Sequence, residues 1–190
     1  MTKLTVISPP AEEPVSLASA KAFLRIGHYG EDALIADLLA SARARLEQES
    51  GLALVSQELR VVWGAWPAAL AGRGAVLPRR PVLALTSVHV EDGAGTLTDH
   101  TERFRLDCGR LALRPWSQCP VLARDDIVLV AFRAGFGAAE DVPEDLTEAC
   151  LRMTGALYAA RETSPGLRAG TAGLPAAGQS ILNVRRAVRL

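Results

Sequence analysis

Apolar residues recur at helical spacing in three stretches of the chain. Leu17, Ala20, Phe23 and Leu24 repeat with a period near 3.6 behind Ser16, whose hydroxyl can accept a backbone N–H and cap a helix, and the segment stops near Gly27. Ile35, Leu38, Leu39, Ala42 and Leu46 form a second stripe. It starts at Glu31 and Asp32, two carboxylates suited to the positive end of a helix dipole, and stops at Gly51. A third stripe of Leu146, Ala149, Cys150, Met153 and Leu157 follows Pro143, Glu144 and Asp145; proline is tolerated in a first turn because its missing N–H would have no partner there. The spacing predicts helices near 16–26, 31–50 and 143–162. Arg43 and Glu47, four residues apart, are expected on a solvated face of the second helix.

Between about 59 and 136 the period falls to two. Leu59 to Trp63, Ala75 to Pro78, Val82 to Val90, Arg103 to Leu106, Arg110 to Leu113 and Ile127 to Phe132 read as strands separated by Gly, Pro and Asp clusters. The connections are too short for the crossover helices of a parallel sheet, so an antiparallel sheet folded over on itself is expected. The second and third helices can bury their stripes against each other with the sheet inserted between them. The expected fold class is therefore α+β: a small helical bundle, an antiparallel β-sheet insertion and a flexible C-terminal tail. The expected organisation is a single domain over 1–162, with the insertion at about 55–140, and a tail over 163–190.

The tail changes the charge picture. The chain as a whole has 21 basic and 21 acidic side chains, but beyond Glu162 there are four arginines and no acid, which leaves 17 basic against 21 acidic groups before it. Residues 164 to 178 are rich in Gly, Ala and Pro without periodicity and read as a tether. The terminus that follows, with Ile181, Leu182, Val184, Arg185, Arg186, Val188, Arg189 and Leu190, is apolar and basic, and a segment of that kind can order on a partner. With 190 residues, 49% of them hydrophobic, the chain can bury one core, or a core and an appended sheet. Apolar runs are far shorter than the roughly 20 residues that span a bilayer, and Met1 to Leu4 lacks a signal-peptide core, so a soluble cytoplasmic protein without a membrane partner is expected. Cys108, Cys119 and Cys150 are odd in number without a CxxC pair and read as buried thiols of a reducing compartment.

Candidate chemistry adds little. Gly-x-Gly triplets at 72–74, 93–95 and 135–137 lack the third glycine and the strand-then-helix setting of a phosphate loop, and read as turns. His28, His89 and His100 show no ligand spacing, and no GxSxG places a nucleophile. Asp125-Asp126 and Glu140-Asp141 precede a strand and a helix, where turn and dipole roles are expected. Trp63 and Trp66 read as core or rim anchors, and Trp116 beside Pro115 as a packed corner. Arg79-Arg80 and Arg185-Arg186 are basic pairs, but the body before the tail is net acidic, contrary to a nonspecific nucleic-acid binder. No catalytic residue, cofactor or metal site is expected.

The order of these parts resembles a known family. Residues Pro9 to Arg25, then Glu31 to Ile35 with a helix to Gly51, Leu77-Pro78-Arg79-Arg80-Pro81-Val82 leading into Thr86-Ser87-Val88, and Phe132 to Gly137 followed by Val142 to Leu146 are similar to head-tail connector (adaptor) proteins of long-tailed phages and gene transfer agents. The resemblance covers most of the first 162 residues. It implies a non-enzymatic protein of the virion neck, made in the bacterial cytoplasm during assembly. Such proteins form a ring, typically of twelve copies, beneath the portal, extend the DNA channel and meet a stopper or tail-terminator protein. DNA then passes through without specific binding. The resemblance also assigns portal docking to Ile181 through Leu190. Two alternatives stand beside it: an uncharacterised DNA-binding or regulatory module, recognisable by salt-dependent duplex binding, and an enzyme of unrecognised type, recognisable by titratable residues clustered in a pocket.

Overall fold

The structure, a computed structural model, describes residues 2–163, with side chains to residue 160. The chain divides into two compact units. One comprises the residues up to Ala11 with Ser56–Gly135, and the other Glu12–Val55 with the chain from Phe136 onward.

The first unit is all β. Strands β1 (Thr2–Ser8), β2 (Gln57–Trp63), β3 (Ala75–Val76), β4 (Val82–Glu91), β5 (Leu97–Asp99), β6 (Phe104–Asp107), β7 (Arg110–Leu113) and β8 (Ile127–Ala134) form two antiparallel sheets. Their orders are β1-β2-β8-β4-β5 and β3-β7-β6. Register follows the alternation of apolar residues: Leu59 pairs with Phe132, Val61 with Val130 and Trp63 with Val128, all six buried. A slip of one residue would turn that entire set toward water, which makes the register specific. Val88 and Val90 extend the same row onto β4 by pairing with Val130 and Val128. The β6–β7 hairpin turns on Cys108 and Gly109, both at positive φ (47° and 74°), the two-residue geometry that matches strand twist. All six expected strands are present. The single folded sheet is instead two sheets, and β1 and β5 are additions to it.

The second unit holds α1 (Leu17–Leu24), α2 (Asp32–Ser50) and α3 (Glu144–Thr163). Ser16 Oγ accepts the Ser19 N–H at 3.1 Å, as the capping pattern predicts. α1 ends on Arg25 in a left-handed conformation rather than at Gly27, and α2 ends on Gly51 at φ 71°. The predicted stripes supply the core, except that Phe23 on the short α1 is 50% exposed: Ala20, Ile35, Leu39, Ala42 and Leu46 pack with Leu146, Ala149, Cys150, Met153 and Leu157, joined by Val15, Leu54 and Val142. Each buried leucine or isoleucine contributes about 1.5–3 kcal/mol of transfer free energy.

Three sequence expectations are corrected here. Glu47 is buried and Arg43 only 13% exposed, because the segment around Glu13 covers that side of α2 with a carboxylate of its own. Cys150 is buried, but Cys119 is half-buried and Cys108 is exposed, since a hairpin tip leaves its side chain in water. Trp116 is fully exposed rather than packed in a corner, and it sits at positive φ (67°), while the loop is held instead by the bond from Trp66 to Pro120.

Candidate assembly surfaces

No group of three or more His, Cys, Asp or Glu side chains able to hold a metal ion occurs among the described residues. No described helix is long and apolar enough to cross a membrane. His28 is exposed in a loop, His89 lies on β4, and His100 follows β5. Partial burial and the nearby Arg103 charge lower the His100 pKa, the carboxylate of Asp99 opposing them. Burial pushes the Cys119 thiol up, and pushes Cys150 to about 12 with the Glu13 charge adding to it. A thiol raised in this way is a poor nucleophile. In the first unit, an open recess of about 360 Å³ is lined by Leu85, Thr101, Glu102, Phe104, Leu106 and Arg114, without a histidine or cysteine. The paired acids do the turn work expected of them: Asp126 Oδ2 accepts the Ala123 N–H and Asp141 Oδ2 the Ala138 N–H.

What the first unit does present is apolar surface. The loop from Arg114 to Asp126 joins β7 to β8, and its framework is tied down along its length. Ser117 N–H donates to Arg114 O at 3.1 Å, Arg114 Nε donates to Phe104 O at 3.1 Å, and Trp66 Nε1 donates to Pro120 O at 2.8 Å. Trp66 in turn stacks on Phe104, ring centroids 5.2 Å apart. From this frame Trp116 and Val121 project into solvent, 103% and 96% exposed. A bulky residue at positive φ is a costly backbone choice, and such conformations persist where the surroundings impose them. One exposed apolar residue is ordinary, whereas two wholly exposed ones on a braced loop make it a candidate contact surface. A second apolar surface is the outer edge of β1, where Val6 and Ile7 are 50% and 42% exposed.

Against solved structures, the chain matches a chain of the neck of an empty gene transfer agent particle reconstructed with C6 symmetry, at 25% identity and a TM-score of 0.79, covering 99% of this chain and 97% of that one. Its fold is that of a gene transfer agent neck chain. A chain from the virion of a native gene transfer agent particle matches at 24% identity and TM-score 0.79, over 98% of this chain and 96% of that one. A chain of a native gene transfer agent neck reconstructed with C12 symmetry matches at 24% and 0.71, over 99% and 97%. No protein-family model and no curated protein matches the chain.

The residues assigned by resemblance to portal docking, Ile181, Leu182, Val184, Arg185, Arg186, Val188, Arg189 and Leu190, lie outside the described residues. Sequence reasoning missed the Trp116 and Val121 projection and the β1 edge. The signal for the first was available: Arg114 to Asp126 is a thirteen-residue connection without periodicity, longer than connections that serve only to link strands.

Proposed function

We propose that this protein is a structural component of a virion-like particle neck, a head-tail connector that forms a ring beneath the portal of a phage or gene transfer agent. The observation that supports this most is the end-to-end likeness to a gene transfer agent neck chain, 99% of this chain against 97% of that one at TM-score 0.79. The ring partners in this reading are further copies of the chain, twelve in the full ring, with the portal protein on one side and a stopper or tail-terminator protein on the other. DNA passes through without sequence-specific contact. In this reading residues 1–162 act as one connector, the β insertion included, followed by a basic tail. That tail, Ile181 to Leu190, supplies portal docking: a short apolar and basic segment gives a modest contact whose effect multiplies when a symmetric ring repeats it. The chain works by contact and not by catalysis.

Electron microscopy of the portal ring mixed with full-length protein, or with protein ending at Glu162, tests the proposal. Ring density below the portal with the full-length chain alone is the expected result. Absence of density with either chain at concentrations well above micromolar would remove the connector role, and density with both would remove the tail from docking.

A further inference from the structure

We infer that neighbouring copies join through the two free edges of the five-stranded sheet, β1 of one copy lying alongside β5 of the next. This rests on the ring reading proposed above and names its lateral contact.

Strand order places β1 and β5 at opposite ends of the sheet, so each has one edge with no strand beside it in the described chain. An open edge is a template for another chain's strand, and proteins blunt such edges with charge, proline or irregularity. β1 does little of this. Its seven residues include one lysine, no acid and no proline, and all but Leu4 are exposed. The register with β2 is regular from Thr2 to Val6 and breaks only between Val6 and Ser8. β5 is exposed throughout, and Leu97 is 56% exposed.

Opposite edges of one sheet are different surfaces, so their contact is heterologous. Repeated by rotation, a heterologous contact closes a ring, whereas β1 meeting β1 would stop at two copies. Every neighbouring pair in the sheet is antiparallel, which leaves β1 and β5 pointing the same way. Neighbours in a twelve-copy ring differ by a turn of only about 30°, which cannot reverse a strand, so the joint is a parallel pair. Charge favours the same match. Lys3 is on β1, with Arg60 opposite Thr5 and Glu58 opposite Ser8 on β2, a net basic edge, while residues 91–99 carry Glu91, Asp92 and Asp99 and no lysine or arginine. Three residues of β5 allow about 10 Å of pairing. Each joint is thus weak alone and depends on its repetition around the ring.

Disulfide trapping in the full-length chain tests the joint. Cys108→Ser and Cys119→Ser remove the accessible thiols, and Thr5→Cys is combined with Leu97→Cys or with Thr98→Cys, two variants because adjacent residues face opposite sides. Oxidised glutathione is added to the concentrated protein and to purified particles, and rings are counted by electron microscopy in the same samples. A ladder of dimers, trimers and higher species on a non-reducing gel, absent from each single-cysteine variant, is the expected result. Dimers formed as readily by Thr5→Cys alone would mean symmetric β1 pairing and overturn the joint. Rings without a ladder in either pair would overturn the joint and leave the ring intact. Particles and protein without rings would overturn the reading on which the joint rests.

Discussion

Arg43 forks onto Glu13: its Nε and Nη2 donate to the two carboxylate oxygens at 2.8 and 3.3 Å, across 30 residues of chain. The remaining nitrogen, Nη1, reaches Glu47 Oε2 at 3.2 Å, and Glu47 Oε1 accepts the Leu54 N–H at 2.9 Å. The guanidinium thereby ties the segment before α1 to α2, and the Glu47 carboxylate it holds ties α2 to the segment after it. Burial alone would lower the Arg43 pKa, but hydrogen bonding and charge from Glu13 and Glu47 outweigh it and leave the value raised.

Arg43→Met should cost more than either salt bridge is worth as a contact. It removes the Arg43 charge from the Glu47 carboxylate, which is only 8% exposed. Removing one partner of a buried pair costs about 3 kcal/mol. Glu13→Gln should cost about 1 kcal/mol, since Glu13 is 27% exposed and Arg43 keeps Glu47. Urea unfolding of the two variants checks the ratio. Equal losses would mean that the Arg43–Glu47 contact adds nothing to the cost.

Cys150 sets an alkaline limit on stability. Its pKa is pushed from 9.0 to about 12, first by burial and then by the Glu13 charge. Between those values the unfolded chain has released a proton that the folded chain keeps, so stability falls as pH rises. The slope is about 1.4 kcal/mol per pH unit over that window, and there is no effect below pH 8. Urea unfolding at pH 8 and pH 10, with Cys150→Ala as reference, measures it; identical pH dependence in the two proteins would contradict the assignment. Exposure predicts that Cys108 reacts first with a thiol reagent at pH 8, while buried Cys150 stays silent until the chain unfolds.

Gly74 cannot carry a side chain. It sits at φ 81°, and a Cβ there would lie 2.9 Å from the Leu111 carbonyl oxygen, backbone that cannot rotate aside. Gly74→Ala should therefore destabilise the β3–β7 pairing by about 1–3 kcal/mol. Gly27→Ala, with nothing within 4 Å of its Cβ and no positive φ, should change stability little. Thermal unfolding of the pair separates conformational demand from mere loss of a glycine.

The helical unit was legible because its periodic stripe is also its core: every apolar position predicted on α3 is buried. The paired strands β2 and β8 were legible for the same reason, alternation matching a face that is truly covered. β1 was not, since an edge strand exposed on both faces needs no alternation, and Thr2 to Ser8 shows none that distinguishes it from a loop. The Glu13 partner of Arg43 was invisible for a different reason: spacing of four on a helix reports only local neighbours, and the contact that buries the pair comes from 30 residues away. Trp116 failed through analogy, because a tryptophan beside a proline commonly packs, and nothing local reveals that Pro120, not Trp116, is the residue held by Trp66.

Trp116 allows folding and assembly to be tested apart. Its side chain is wholly exposed, so Trp116→Ala removes no buried contact, and surface substitutions of this kind move stability by about 0.5 kcal/mol or less. Trp116→Gly should leave the fold as stable or slightly more so, because glycine accepts φ 67° without steric cost. If the braced loop inserts Trp116 into a neighbouring protein of the neck, both variants should weaken incorporation into particles. An aromatic anchor of that kind is worth about 2 kcal/mol or more, about 30-fold in affinity. Competition between wild-type and variant protein for particle incorporation, read by mass spectrometry, measures the ratio against unchanged melting temperatures. Equal incorporation would show that the loop faces solvent in the particle as it does in the isolated chain.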